Sequence, residues 1–238
     1  MRSSKPIHSR RHPKLRPAAL LSVYRTLRRA FGHQRWWPGE TPFEMMVGAI
    51  LTQNTAWTNV EKAIRNLKEA KMLSLREIHR VSRRSLARRI RPAGYFNVKA
   101  DRLKHLADFL VREYYGDIGR MERDTTAVLR GKLLGVKGVG PETADSILLY
   151  ALNKRSFVID AYTKRIFSRH DLAAQDLDYA AWQAIFEKAL PHRTGLYNDF
   201  HAQIVRLGKD HCRKSPRCGA CPLDRFSENV KKSKILCK

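Results

Sequence analysis

The chain has 238 residues, of which 43% are hydrophobic, which is enough to bury a core and excludes a fully disordered protein. Its 47 Lys and Arg residues outnumber its 22 Asp and Glu residues, giving a formal net charge of +25. Such a charge predicts a polyanionic partner. No apolar run approaches the ~20 residues of a membrane-spanning helix, so a membrane-spanning protein is excluded.

The N-terminal segment is strongly basic. Residues 1–17 contain six Lys or Arg residues and no acid, and no apolar signal-peptide core follows them. We therefore expect residues 1–17 to form a disordered basic arm, and the protein to be intracellular and cytoplasmic, associated with the nucleoid.

Helical periodicity dominates the remaining chain, so we predict an all-α fold. Buried faces are expected in these segments: Leu20–Phe31, Phe43–Leu51, Val60–Leu67, Leu75–Val81, Leu86–Ile90, Ala100–Val111, Ala144–Ala151, Trp182–Leu190 and Phe200–Leu207. We divide them into a central domain, residues 41–152, and a second lobe that combines residues 18–40 with 153–238.

The stretch between Arg80 and Lys104 is basic: it contains nine Lys or Arg residues and a single acidic residue, Asp101. Charge runs of this kind are often only a solvated helical face. The sequence alone leaves this interpretation open beside a role in binding.

A glycine-rich turn, Gly135-Val136-Lys137-Gly138-Val139-Gly140-Pro141, joins two helical segments. Glycines permit positive φ and leave the backbone accessible, so that a DNA phosphate can approach the amides without sequence readout. The alternative is a tight helical corner without a ligand. The net charge favours the DNA-binding interpretation.

Asp160 follows the apolar residues Phe157-Val158-Ile159 and precedes another helical segment. An Asp in this position is commonly a helix N-cap. A fixed carboxylate can also stabilise the oxocarbenium character that develops when an N-glycosidic bond breaks, and can orient the attacking water. The two roles are compatible, because capping would pre-position the carboxylate.

The hairpin from Leu134 to Ala144, followed by Val158-Ile159-Asp160, resembles the helix-hairpin-helix and Gly/Pro-Asp signature of the endonuclease III superfamily of DNA glycosylases. The resemblance implies a two-lobed fold, binding to duplex DNA that contains a damaged base, and Asp160 as the catalytic residue. It also implies that Gln53 fills the gap left by a flipped nucleotide. The other DNA-binding residues that it implies are Gly135, Lys137, Gly138, Gly140 and Thr143.

One position departs from the bifunctional members of this superfamily, which use a lysine as a Schiff-base nucleophile. Glu142 occupies that position, and a carboxylate cannot form an imine. We therefore expect a monofunctional glycosylase that leaves an abasic site, acting as a monomer. A bifunctional lyase that uses another lysine, such as Lys137 or Lys164, and a non-catalytic module for distorted DNA are the alternatives.

Several segments are most similar to the 3-methyladenine DNA glycosylase III branch, in which aromatic residues sandwich an alkylated base. The resemblance assigns the base pocket to Trp36, Trp37, Pro38 and Trp57. A cationic alkylated purine stacks well on electron-rich indole. The tryptophans could instead be core anchors, and uracil or thymine opposite guanine is the alternative substrate.

All four cysteines lie near the C-terminus: Cys212, Cys218, Cys221 and Cys237. Their clustering favours a metal site over structural disulfides. The segment resembles the superfamily's [4Fe-4S] loop, here expected over residues 210–238, although the fifteen residues before Cys237 form a longer spacing than the family's. A zinc site built from the same four cysteines is the alternative.

Overall fold

The computed structural model describes residues 17–170, 172–224 and 226, and all regular structure in these residues is helical. This confirms the all-α prediction for the described residues. The α-helices are α1 (Pro17–Phe31), α2 (Pro42–Leu51), α3 (Trp57–Glu69), α4 (Leu75–Arg80), α5 (Arg83–Arg89), α6 (Phe96–Tyr114), α7 (Thr126–Leu134), α8 (Pro141–Ser146), α9 (Ala161–Arg169), α10 (Tyr179–Ala189) and α11 (Thr194–Asp210).

Short helical turns supplement these helices. Segments Arg91–Ala93, Ile118–Arg123 and Cys218–Ala220 are 3-10 turns, and α8 continues directly into a π-helical turn, Ile147–Ala151. Among the described helices, none is both long and apolar enough to cross a membrane. The expected basic arm lies outside the described residues up to residue 16, and Pro17 already begins α1.

The chain forms two compact units. The first contains the described residues of Met1–His33, Ile159–Pro191 and Ala202–Lys238, and the second contains Gln34–Val158 and His192–His201. These boundaries differ from those expected from sequence, because residues 34–40, 153–158 and 192–201 belong to the second unit. The reason is local packing: Trp37 contacts Trp57 and Tyr150, and Phe157 contacts Tyr197.

Helix α2 is the centre of the second unit's core. Its residues Met46, Val47, Ile50 and Leu51 have no exposed surface, and the helix packs against α3, α6 and α8. Thr41 caps its N-terminus by accepting a hydrogen bond from Glu44 N at 3.1 Å. At the C-terminal end of α2, the Thr52 backbone N–H donates to Gly48 O at 2.9 Å, and the turn bearing Gln53 begins there.

The first unit has its own apolar core. Leu20, Val23 and Leu27 form the buried face of α1, which packs against α10 around the fully buried Trp182. At the end of α1, the Phe31 ring stacks on His211 with 5.8 Å between centroids. This unit supplies the helix that Asp160 caps.

Candidate nucleic-acid interface and catalytic carboxylate

The glycine-rich turn between α7 and α8 is a hairpin held by two buried side chains, Val136 and Val139. Gly135, Lys137 and Gly140 are exposed, so their backbone faces solvent. Gly138 has φ +92°, and a Cβ built on it would lie 2.3 Å from Arg102 Cγ. Glycine is therefore required at residue 138 both by conformation and by the close approach of α6.

A buried carboxylate braces the hairpin. Asp145 on α8 has no exposed surface and receives two hydrogen bonds from Arg130 on α7, at 2.8 and 3.1 Å. Ser156 donates a further bond of 2.6 Å to the same carboxylate. This charged pair fixes the angle between the two hairpin helices.

Gln53 is bonded directly to the hairpin. Its Nε2 donates to Gly138 O at 3.0 Å and to Thr143 Oγ1 at 2.9 Å, and its Oε1 accepts from Arg102 Nη1. The structure thus brings together Gln53, Gly138 and Thr143, which the resemblance assigned to DNA binding. Inserting Gln53 into a duplex would require these hydrogen bonds to be exchanged.

Sequence reasoning missed Lys99, which lies on the buried face of α6 and is 1% exposed. Its Nζ donates to Leu51 O at 2.7 Å, Thr55 Oγ1 at 2.6 Å and Ala93 O at 2.8 Å. Burial, with the nearby charge of Arg102, lowers the pKa of Lys99 to about 8. The sequence feature that could have identified Lys99 is a lysine four residues before Leu103, on an otherwise apolar helical face.

The three predicted pocket tryptophans form one aromatic cluster in the second unit. Ring centroids are 4.8 Å apart for Trp36 and Trp57, 5.1 Å for Trp37 and Trp57, and 5.4 Å for Trp36 and Trp37. All three rings are half-buried, whereas Pro38 is exposed. The Trp57 indole donates to Glu61 Oε1 at 2.7 Å, which orients its ring.

These separations decide how a base could bind. A base stacked between two rings would hold them roughly 7 Å apart, about twice the rise of a base step, and each of these pairs is closer than that. The cluster therefore offers an outer face for stacking in this conformation. Tyr150 extends it, with its centroid 5.1 Å from that of Trp37 and its hydroxyl bonded to His201 Nδ1.

Asp160 caps α9 in the other compact unit. Its Oδ1 accepts hydrogen bonds from Thr163 N at 2.7 Å and from Thr163 Oγ1 at 2.8 Å, and the residue is only 9% exposed. The N-cap prediction is confirmed. The charge of Asp160 also contributes, after burial, to raising the pKa of Tyr162. Two donors on one oxygen fix the orientation of this carboxylate.

Glu142 lies in the first turn of α8 and is exposed. Its position beside the exposed hairpin is that expected from sequence. The acidic side chain is stable there because the first turn of a helix favours negative charge.

The cysteine segment is described only up to residue 226, so Cys237 lies outside the described residues. Cys212 and Cys221 are free thiols, and burial together with the charge of Cys212 raises the pKa of Cys221. Cys218 is disulfide-bonded. Within the described residues, no group of three or more His, Cys, Asp or Glu side chains is arranged to hold a metal ion. The three described cysteines, as placed, do not complete a cluster site.

Comparison with known proteins gives independent evidence on the family of this chain. A sequence profile of the HhH-GPD superfamily base excision DNA repair proteins matches residues 47–192. A Methanocaldococcus jannaschii protein, assigned by name to the DNA repair glycosylases, is 47% identical over 209 residues, covering 87% of this chain and 94% of that protein.

Solved structures agree with this assignment. The H. pylori 3-methyladenine DNA glycosylase MagIII, solved with 1,N6-ethenoadenine, aligns with a TM-score of 0.71 and 31% identity, over 82% of this chain and 98% of that chain. An endonuclease III in a non-covalent DNA complex shares the fold, with a TM-score of 0.77 and 22% identity over 92% of this chain and 100% of that chain. The chain therefore belongs to the HhH-GPD superfamily of base excision DNA repair proteins.

Proposed function

We propose that the protein is a monofunctional DNA N-glycosylase that flips out alkylated purines such as 3-methyladenine and hydrolyses their glycosidic bond. The observation that carries the choice of substrate is the half-buried cluster of Trp36, Trp37 and Trp57. N-alkylation gives the purine a positive charge, which strengthens its attraction to indole rings. The similarity to MagIII supports the same choice.

Asp160 would be the catalytic residue. As the bond between C1′ and the base nitrogen breaks, the electron pair leaves with the cationic base, which departs neutral. The Asp160 carboxylate would stabilise the positive charge that develops on the sugar, and would accept the proton of the water that attacks C1′. Its hydrogen bonds to Thr163 support this role, because they hold the carboxylate before the substrate arrives.

The exposed hairpin would bind the DNA backbone. Gly135, Lys137 and Gly140 leave their backbone accessible. The hydrogen bond from Gln53 to Gly138 O, at the residue that Arg102 approaches closely, connects this surface to Gln53. Phosphate binding by main-chain amides needs no base identity, which suits an enzyme that must examine many sequences. Gln53 would then exchange its bonds to Gly138 and Thr143 for contacts within the duplex.

Glu142 supports hydrolysis without strand cleavage, since the side chain at the lyase position cannot form a Schiff base. A second candidate substrate is uracil or thymine opposite guanine. It is favoured by similarity to a protein named thymine/uracil-DNA glycosylase of Methanothermobacter thermautotrophicus, 24% identical over 220 residues. A module that only binds distorted DNA is the non-enzymatic alternative.

The test uses duplexes containing 3-methyladenine or uracil opposite guanine, with strand breaks scored before and after hot alkali. We expect breaks only in the alkylated duplex and only after alkali. Breaks confined to the uracil duplex would move the substrate to mismatched pyrimidines. DNA binding without any alkali-sensitive site would favour the binding module.

We also propose that Cys212, Cys218, Cys221 and Cys237 hold a [4Fe-4S] cluster with a structural role. The support is the Cys-x2-Cys spacing of Cys218 and Cys221. Cys218 must then be a thiolate when the cluster is bound. Anaerobically purified protein should be brown and contain iron and acid-labile sulfide in equal amounts. Colourless protein with one zinc ion, or with no metal and one disulfide, would refute the cluster.

A further inference from the structure

Helix α5 carries a surface that the hairpin and the tryptophan cluster do not explain. Arg84, Arg88 and Arg91 are all exposed, at spacings of four and three residues that continue from α5 into the following 3-10 turn. Leu86 and Ile90, which have no exposed surface, form the opposite face. The three arginines therefore form one outward stripe, which we call the α5 arginine stripe.

In the part of the chain that the structure describes, no acidic side chain pairs with the stripe to balance its positive charge. Arg83 pairs with Asp101 at 3.1 Å, and Asp101 is the only acidic residue between positions 80 and 104. Among the described residues, no carboxylate pairs with Arg84, Arg88 or Arg91. Like charges four residues apart on a helix surface repel each other and destabilise the helix. An anionic ligand would remove this repulsion.

The stripe adjoins the part of the second unit that faces DNA in the proposed function. Arg91 begins the 3-10 turn that ends at Ala93, and the Ala93 carbonyl accepts a hydrogen bond of 2.6 Å from Thr55 Oγ1. Thr55 lies two residues from Gln53. At the other end of α5, the Arg83–Asp101 pair connects to α6 beside Arg102, whose side chain packs on Gly138.

The side chains of α5 also indicate the class of ligand. Its exposed residues, Arg83, Arg84, Arg88 and Arg89, are all cationic, and its apolar residues Leu86 and Ala87 are buried. Arginines in a protein interface commonly accompany exposed aromatic or apolar anchors, and α5 exposes no aromatic or apolar residue. Successive phosphates along a nucleic-acid strand fit a row of unpaired arginines without such an anchor.

We propose that the α5 arginine stripe is a second phosphate-binding surface, which binds the backbone of double-stranded DNA independently of the hairpin. Arg84, Arg88 and Arg91 each neutralise a phosphate and release its counterions. The inference rests on the proposed function only for the choice of double-stranded DNA as ligand. It adds contacts that position the duplex and carry no base specificity.

The experiment measures how the affinity for a short undamaged duplex depends on salt, using fluorescence anisotropy. Each phosphate contact contributes about 0.9 to the slope of log K against log salt, so Arg84→Gln/Arg88→Gln/Arg91→Gln should lower the slope by about 2.7. The ratio of wild-type to variant affinity should then be about 40-fold larger near 50 mM than near 200 mM salt. The matched control Arg76→Gln/Arg123→Gln/Lys188→Gln removes the same charge from exposed positions on other elements.

An unchanged slope in the stripe variant, or an equal loss in the control, would overturn the proposal. Each single Arg→Gln substitution should lower the slope by about 0.9, which keeps the test valid if the triple variant unfolds. The triple Arg→Lys variant should keep the wild-type slope. The salt dependence is measured on an undamaged duplex, so it does not depend on base release. If the wild-type protein released no base from lesion-containing DNA, the proposed function would be refuted but the measured role of the stripe in DNA binding would not.

Discussion

Among single residues, Asp160 combines an observed structural role, the N-cap of α9, with a proposed catalytic one. Capping α9 uses Oδ1, which accepts both Thr163 hydrogen bonds. An Asn in this position can cap equally well but carries no charge. Asp160→Asn therefore separates the proposed catalytic charge from the structural role.

Gly138 gives a prediction about stability. Its φ of +92° and the 2.3 Å separation that a Cβ at this position would have from Arg102 Cγ mean that Gly138→Ala should destabilise the protein by about 1–3 kcal/mol. Urea unfolding measures this change. Gly131, in the middle of α7 with open space around it, is the matched control, and Gly131→Ala should stabilise by about 0.5–1 kcal/mol. Equal effects of the two substitutions would contradict the argument.

Glu142 gives a chemical prediction. Wild-type protein incubated with lesion-containing duplex and borohydride should form no covalent adduct, since a carboxylate cannot give the imine that borohydride reduces. Denaturing gel electrophoresis detects such an adduct as a slower band. An adduct lost in Lys137→Gln or Lys164→Gln would show that another lysine acts as nucleophile and that the enzyme is bifunctional.

At the scale of elements, Lys99 joins three segments: the C-terminal end of α2, the turn after Gln53 and the 3-10 turn before α6. Its folded-state pKa of about 8 lies below the ordinary 10.5. Between these pH values the unfolded chain retains a proton that the folded protein has released. Raising the pH through this window therefore favours the folded state, and the penalty for burying the charge is fully present below pH 8.

The lowered pKa of Lys99 predicts a difference between two unfolding experiments. Relative to Lys99→Met, the wild-type protein should gain on the order of 1–2 kcal/mol of unfolding free energy between about pH 7.5 and 9.5. Comparison with the variant cancels groups common to both proteins. The exposed Lys62, replaced by Met, should give no such gain. A flat difference for Lys99→Met would show that its pKa is not lowered.

Most helices could be predicted from apolar spacing, because each has one face that the core requires. Helix α6 is an example: the stripe from Ala100 to Val111 lies within Phe96–Tyr114. Apolar spacing predicts a helix over Ala144–Ala151 but not its change to a π-helical turn at Ile147–Ala151, where Ile147, Leu148 and Leu149 are almost fully buried. Periodicity requires an exposed face.

The candidate site likewise contains residues that the sequence predicts and contacts that it does not. Asp160 and the hairpin glycines are recognisable because capping and positive φ restrict the residue type. The hydrogen bonds from Gln53 to Gly138 and Thr143, and from Arg130 to Asp145, join residues distant in sequence or in different helices. Nothing local in the sequence encodes such pairs, because they depend on how the helices pack.

For the whole molecule, the net charge of +25 and the match to the HhH-GPD superfamily both agree with a protein that acts on DNA. A protein that examines long stretches of DNA gains from sequence-independent attraction to phosphate. The base-contacting residues need then only distinguish a damaged base from a normal one. In the proposed function the tryptophan cluster makes this distinction, because a cationic purine stacks more strongly on indole than a neutral one does.

Base release by an Asp160 variant tests the proposal that this carboxylate drives hydrolytic release of alkylated purines. Release of 3-methyladenine from duplex DNA is compared for wild type, Asp160→Asn and Asp178→Asn, the last being the same substitution at the N-cap of α10. We predict release by wild type and Asp178→Asn, with alkali-dependent breaks only, and none by Asp160→Asn, which still folds and binds the duplex. Undiminished release by Asp160→Asn would contradict the account.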